Sequence, residues 1–381
     1  MSLKTRFIAL SAVLILSIAI FNIFFIQAYH SRFPILQRMF YGGESRDGEP
    51  SDADYSSYPG LKAGTAEPDG HYYHDRVLVL MYHDVTSAPT DVRSLSARKF
   101  ERQLQLMKDN HFHWITMSQY RDFILHGRPV PENAVLLTFD DGYASFYQYA
   151  YPLLVKYGAP ASSFLIVGTV GHPEKPGVNK LNWKQVKEMH RSGVDFFSHT
   201  YDLHDYGPTD ALGKRQASAL SSRLYLKSLG RRETEAEYEA RVDADLRQAN
   251  DVLRQELGED NRVLAFPYGA FSKPLLRVCR NLGIDVTLTV KSGLNKYGQT
   301  NGFRLNAGGM NNDPELQLAL MKQAERRLGH AHFDRSPLYK RIAVLSLAAA
   351  AAASAAWLYV GIALFRRRRS ASDPAGHAPG G

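Results

Sequence analysis

The stretch Val135-Leu-Leu-Thr-Phe-Asp-Asp-Gly-Tyr143 limits the possible folds more than any other part of the chain. Its largely apolar start reads as a short strand buried on both faces. That strand runs straight into two adjacent carboxylates. Asp140 and Asp141 then stand at its C-terminal tip, where α/β folds place their ligands. Two neighbouring carboxylates repel each other. A bound cation removes that cost by taking one as a ligand and leaving the other free as a base. Asp-Asp-Gly is also ordinary turn chemistry, so this stretch alone leaves both readings open.

Strands and helices alternate around it. Residues 77–82 form a continuous apolar run that ends on His83 and Asp84. Ser96 can cap a helix that carries Phe100, Leu104 and Met107 at helical spacing. Residues 118–125 read as a second helix, and 144–157 as a third that Pro152 kinks or restarts. Strand 161–167, a Gly/Pro loop at 168–180, helix 183–190 and strand 194–198 follow, the last delivering His199. Strand 263–266 ends in Pro267-Tyr268-Gly269, and helix 273–282, strand 284–290 and helix 314–328 complete the pattern. Residues 209–258 are highly charged. Most of them read as an exposed helical excursion with Tyr238, Val242, Leu246, Ala249 and Leu253 facing the domain. Repeated strand–helix pairs predict a parallel sheet or barrel with its chemistry on strand-end loops.

Two apolar segments bracket this α/β region. Residues 7–28 follow a short basic start with Lys4 and Arg6, and are about long enough to cross a bilayer. Gln27-Ala-Tyr-His30 does not resemble a cleavage site, so an uncleaved anchor is expected. Residues 342–365 form a second, Ala/Leu-rich span, followed at once by the arginine run 366–369. Arginines directly beyond a span place that end in the cytoplasm. The expected organisation is a cytoplasmic N-terminus at 1–6, an anchor at 7–28 and a Gly/Ser/Pro-rich extracytoplasmic tether at 29–75. A domain at 76–330, a span at 342–365 and a basic cytoplasmic tail at 366–381 complete it. The excess of 46 Lys and Arg over 38 Asp and Glu is modest, and part of it is that arginine run. It reads as membrane topology and solvated surface, not nucleic-acid binding. The one cysteine, Cys279, excludes both an intrachain disulfide and a Cys-based zinc site.

Three predicted strand ends carry chemistry: Tyr82-His83-Asp84, Asp140-Asp141 and Ser198-His-Thr-Tyr-Asp-Leu-His204. His199 and His204 would splay apart on a straight helix. On a loop leaving a strand, both imidazoles can reach one ion. Two His and a carboxylate with open positions make a catalytic metal set.

Leu137-Thr-Phe-Asp-Asp-Gly-Tyr143, Ser198 to His204, Phe266-Pro-Tyr-Gly269 and Val79-Leu-Met-Tyr-His-Asp-Val85 together resemble the signature blocks of carbohydrate esterase family 4. These are polysaccharide deacetylases, and the nearest branch is the poly-β-1,6-N-acetylglucosamine deacetylases of biofilm synthesis. The resemblance covers roughly residues 76–306. It implies a distorted (β/α) barrel with one divalent metal ion, usually zinc. Asp141, His199 and His204 would be the ligands and Asp140 the general base toward the attacking water. His83 would protonate the departing amine, and a backbone N–H near Tyr143 would assist. Tyr143, Pro267, Tyr268 and Trp183 would shape the sugar groove. The implied partners are an N-acetylglucosamine-containing polysaccharide, the membrane, and polysaccharide synthase or export components.

The chain departs from the family pattern in two places. Relatives carry an Arg shortly before the Pro-Tyr block to orient the base. Here Arg262 stands four residues before Phe266. No Asp-Trp block is found, although Asn182-Trp183 lies in that neighbourhood. Two rival functions remain open: deacetylation of peptidoglycan or chitooligosaccharides, and an inactive barrel that binds an exported polymer.

Overall fold

The computed structural model describes residues 2–29, 55, 58, 60–64, 70–175, 177–331, 333 and 336–371. The chain divides into two compact units, residues 1–45 with 332–381, and residues 46–331.

The larger unit is built on one curled sheet. Its strands are β1 (Val77–Tyr82), β2 (His113–Trp114), β3 (Ala134–Phe139), β4 (Ser162–Leu165) and β5 (Asp195–Ser198), then β6 (Val263–Ala265), β7 (Val286–Leu288), β8 (Asn301–Gly302) and β9 (Leu305–Asn306). The spatial order is β8-β7-β6-β5-β4-β3-β1-β9, with β2 on β3, and every pairing in it is parallel. Only Phe303 and Arg304 separate the two outermost strands. One short segment therefore pairs with β7 through Asn301 and Gly302, and with β1 through Leu305 and Asn306. A single piece of chain thus touches both edges of the sheet. This is the seam of a (β/α) barrel, in line with the fold expected from sequence.

Strand alternation sorts the side chains onto two faces. β1 and β3 are buried at every position and run in register, Val77 opposite Ala134 through Tyr82 opposite Phe139. Val77, Val79, Ala134 and Leu136 enter an inner cluster with Phe164, Ala265 and Leu288 from across the sheet. Leu78, Leu80, Val135, Leu137 and Phe139 enter an outer cluster beneath the helices. Continued one more step, the same parity turns Thr138 and Asp140 inward.

Several local predictions meet their physical causes here. Ser96 caps helix Ala97–Asp109 by accepting from Lys99 N–H, and Gly127 ends helix Met117–His126 in the left-handed region. Before Pro152 the chain winds as a π-helical turn over Phe146–Ala150, then continues as helix Tyr151–Tyr157. Proline is tolerated there because the first turn needs no N–H donor.

Two expectations need correction. In the charged excursion only Glu235–Leu257 is α-helical, with a short 3-10 turn at Lys227–Leu229, although its buried row is Tyr238, Val242, Leu246, Ala249 and Leu253 as read from the sequence. Ahead of it lie two small antiparallel pairings, Tyr206–Pro208 with Gln216–Ser218 and Tyr225–Leu226 with Arg231–Arg232. Their strands are too short to show a period. The domain's core also begins before residue 76. Tyr55, Leu61, Tyr72 and Tyr73 are buried in the outer cluster, so part of the expected tether packs as domain. Residues 30–54, 56, 57, 59 and 65–69 of that stretch lie outside the described residues.

The smaller unit pairs helix Leu3–Tyr29 with helix Ser336–Ala371, and the two expected spans fall inside them. Both helices are long and apolar enough to be candidate membrane spans. Phe7 packs on Trp357 with ring centroids 4.8 Å apart, and Trp357 Nε1 donates to Ser11 Oγ at 2.8 Å. Ile8, Ile15, Val344 and Leu345 are exposed on their flanks.

Candidate metal centre and active site

The inward turn of Asp140 brings it to a buried arginine. Arg304, at the seam between β8 and β9, donates from Nη1 to Asp140 Oδ1 at 2.7 Å and from Nη2 to Oδ2 at 2.8 Å. Its Nε donates to Thr289 O at 2.8 Å, and its guanidinium lies 5.8 Å from the Phe164 ring centre. Arg304 is 0% and Asp140 2% exposed, so the pair is fully desolvated. A bidentate guanidinium suits that setting better than any other cationic side chain.

The chain then turns. Asp141 has φ 71° and Gly142 φ 66°, which swings Asp141 away from the strand axis. A Cβ at Gly142 would lie 2.8 Å from Leu165 Cδ2, so this turn needs glycine. Asp141 Oδ1 is buried and makes no hydrogen bond. Facing it are His204 Nε2 at 3.2 Å and His199 Nε2 at 3.5 Å. The Nδ1 of His199 donates to Ala265 O at 2.7 Å. A carbonyl can only accept, so the tautomer is set and the Nε2 lone pair faces Asp141.

The charges follow from these contacts. Burial pushes the Asp140 carboxyl up, but Arg304 and His199 outweigh it and hold it below the ordinary value. Burial acts likewise on Asp141, where His204, His83 and His199 hold the carboxyl well below the carboxylate range. Burial pulls His199 down to about 4 against the attraction of Asp140. At His204 burial is outweighed by Asp141, and the imidazole is raised.

These residues fit a small divalent cation. The three donor atoms lie within 4.8 Å of one another. Donors about 2.0–2.1 Å from a tetrahedral ion sit about 3.3 Å apart, close to the two edges measured from Asp141 Oδ1. An orphaned buried carboxylate oxygen facing two imidazole nitrogens is otherwise a costly arrangement.

Comparison with known proteins gives a consistent result. Residues 127–287 match the family described as polysaccharide deacetylase. The poly-beta-1,6-N-acetyl-D-glucosamine N-deacetylase of Escherichia coli K12 is 28% identical over 280 residues, covering 68% of this chain and 41% of that protein. The Staphylococcus aureus MSSA476 protein of the same description is 27% identical over 228 residues, covering 56% of this chain and 71% of that protein. The solved de-N-acetylase from Aggregatibacter actinomycetemcomitans superposes with TM-score 0.59 at 27% identity, covering 65% of this chain and 100% of that structure. The chain carries a polysaccharide deacetylase domain. It spans 41% of the length of the E. coli relative.

The deacetylase domain opens at this site into a cleft of about 750 Å³. His83, Asp140, Asp141, Tyr143, His199, His204 and Tyr268 all line it, so the three predicted strand ends do converge. His83 is half-buried, and among the described residues no hydrogen bond holds its ring. Its neighbour Asp84 accepts instead from Ser94 and Ser145. Tyr143 lies under Lys180, whose Nζ is 3.7 Å from the ring centre. Ala144 N–H donates to Asn179 O at 2.8 Å and Leu181 N–H to Gly142 O at 2.9 Å. These flanking bonds leave the Tyr143 N–H with no backbone acceptor among the described residues.

Two expected groove residues stand elsewhere. Trp183 begins helix Trp183–Arg191 and packs against the outer cluster. Pro267 is buried in the turn Pro267–Gly269, between the cleft residues Phe266 and Tyr268. Neither lines the cleft. Asn182 caps the Trp183 helix in a reciprocal box with Gln185. Arg262 is exposed and pairs with Asp260 at 3.2 Å, away from Asp140. The arginine that meets Asp140 is Arg304. One signal for it is present in the sequence: an arginine set directly between Phe303 and Leu305.

Proposed function

We propose that this domain hydrolyses the acetamide of N-acetylglucosamine units in an extracytoplasmic polysaccharide, releasing acetate and leaving a free amine. The observation that carries this reading is the pairing of two unlike carboxylates. Asp140 is ionised by Arg304, while Asp141 faces His199 and His204 across one shared cleft. The E. coli and S. aureus relatives described as poly-beta-1,6-N-acetyl-D-glucosamine N-deacetylases support the choice of polymer.

Asp141, His199 and His204 would hold one divalent cation, in our reading zinc. When bound it supplies Lewis acidity toward the acetamide carbonyl and the attacking water. Asp140 takes the proton from that water as its oxygen adds to the carbonyl carbon. Both Asp140 oxygens accept from Arg304, yet each keeps a second lone pair for this transfer. The Tyr143 N–H donates to the oxygen on which charge develops. His83, in its protonated form, donates to the amine nitrogen as the C–N bond breaks. Tyr143 and Tyr268 offer ring faces to the sugar.

Full-length protein incubated with β-1,6-linked N-acetylglucosamine oligomers should release acetate. Release only from β-1,4-linked oligomers would move the assignment to chitin-like or peptidoglycan substrates. Binding without release would leave an inactive polymer-binding barrel. Asp141→Ala, His199→Ala and His204→Ala should each weaken Zn2+ affinity by at least about tenfold, as loss of one of three ligands implies. Metal content after dialysis checks this, and full retention by all three would remove the site.

The two apolar helices are proposed as membrane spans that hold the domain outside, with both flanking ends cytoplasmic. A reporter fused after residue 371 should read cytoplasmic, and one inserted at 62–64 external. The reverse pattern would overturn the orientation.

A further inference from the structure

His199 and His204 meet at one carboxylate only because residues 200–203 turn tightly between them. The turn is strained. Thr200 is β-branched and has φ 87°, a region that such side chains rarely adopt. Something must hold it, and the grip comes from both sides. From the sheet side, the N–H groups of Val167 and Gly168 donate to the carbonyls of Thr200 and Tyr201, each at 2.9 Å. A Cβ at Gly168 would lie 2.7 Å from Tyr201 O, so the approach is as close as glycine permits. From the other side comes helix Glu235–Leu257. Its Asp245 accepts the Tyr201 N–H on Oδ1 at 3.0 Å and the Asp202 N–H on Oδ2 at 2.8 Å. Further along the same helix, Asn250 accepts from Asn261 at 2.8 Å, and Asn261 accepts the Ser198 N–H at 3.2 Å. The helix therefore grips the chain on both sides of His199.

We propose that Asp245 is a positioning residue for the metal centre. Its two carboxylate oxygens fix the main chain between the histidines, so that both Nε2 atoms face Asp141 before a cation arrives. This rests on the reading that Asp141, His199 and His204 hold the metal. Two backbone donors bound to one ionised acceptor are a stiff, charge-assisted link. A site whose supports are already in place loses less freedom on binding its ion. The charged excursion thereby gains a role, since it carries the brace for a loop that strains itself.

The test uses full-length protein in detergent, stripped of metal and titrated with Zn2+ against a chromogenic chelator. Asp245→Ala should bind Zn2+ about 10- to 100-fold more weakly, the usual cost of losing a group that orients a ligand. Asp245→Asn, which keeps the shape and one acceptor, should fall between that variant and the unsubstituted protein. Asp245→Glu should recover part of the loss. Asp243→Asn removes a surface carboxylate of the same helix, paired with Arg247, and should bind as the unsubstituted protein does. The unfolding midpoint of the metal-free protein should change little in Asp245→Asn, while the shift on adding Zn2+ shrinks. The proposal is overturned if the Ala and Asn variants bind Zn2+ as tightly as the unsubstituted protein. It is equally overturned if the affinity lost is matched by an equal loss of metal-free stability. If the unsubstituted protein binds no Zn2+, the metal reading itself fails, which equal binding by the variants would not imply.

Discussion

Asp140→Asn should lower kcat by about 10²–10⁴-fold, the range that a positioned proton acceptor contributes, while Zn2+ stays bound. The reason is the division of labour between the two carboxylates. Asp141 faces both imidazoles, whereas Asp140 lies 3.9 Å from His199 Nε2 and is committed to Arg304. Asparagine keeps the shape of Asp140 and can still accept one hydrogen bond from Arg304, but it cannot take a proton from water at neutral pH. Acetate release and metal content, measured on the same preparation, separate the two roles. Loss of metal in step with activity would reassign Asp140 as a ligand, and an unchanged kcat would end its part as base.

The second large effect is expected at Arg304. Arg304→Met should destabilise the domain by about 3–5 kcal/mol, because it leaves the Asp140 charge buried without its partner. Urea unfolding at neutral pH measures this. The sign of the pH dependence follows from the depressed Asp140 carboxyl. A carboxyl lowered by folding contributes stability above its unfolded value of about 3.9, and that contribution is lost as pH falls through the folded value. The gap between wild type and Arg304→Met should therefore be widest near neutral pH and narrow in acid. With Arg304 gone, burial dominates and the Asp140 value rises, so the acid limb of kcat/KM should move to higher pH. The double variant Asp140→Leu with Arg304→Met should regain much of the stability and none of the activity. If Arg304→Met is as stable as wild type and its acid limb does not move, the pair is not what ionises the base.

The sequence makes some parts of the site plain and hides others, for physical reasons. β1 and β3 are legible because they are buried on both faces, so each is an apolar run, broken only by Thr138 in β3, that ends in polar residues. The histidine block is legible because metal-capable residues are crowded into one loop. Arg304 is not, because β8 and β9 are two residues each and their identity as strands depends on partners more than 13 residues away. Proximity in the chain pointed instead to Arg262, which the fold leaves in solvent. Residues 209–232 read as part of the helical excursion because charge is easy to see and short hairpins have no period. Trp183 reads as a sugar platform because an indole serves equally well as packing, and its contact with the outer cluster tells the two apart. The same ambiguity hid Tyr55 and Leu61, whose polar, Gly-rich surroundings read as linker although their own side chains are buried.

The seam at residues 301–306 has a consequence for when activity can arise during synthesis. A nascent chain that has emerged only as far as residue 300 already holds His83, Asp140, Asp141, His199 and His204. It lacks the piece that joins the two sheet edges and the guanidinium that ionises Asp140. Such a fragment could assemble a cation-binding loop and still be chemically silent. On the proposed reading, competence arrives with the last strands to be translated, so partial products and chains clipped before the seam should release no acetate.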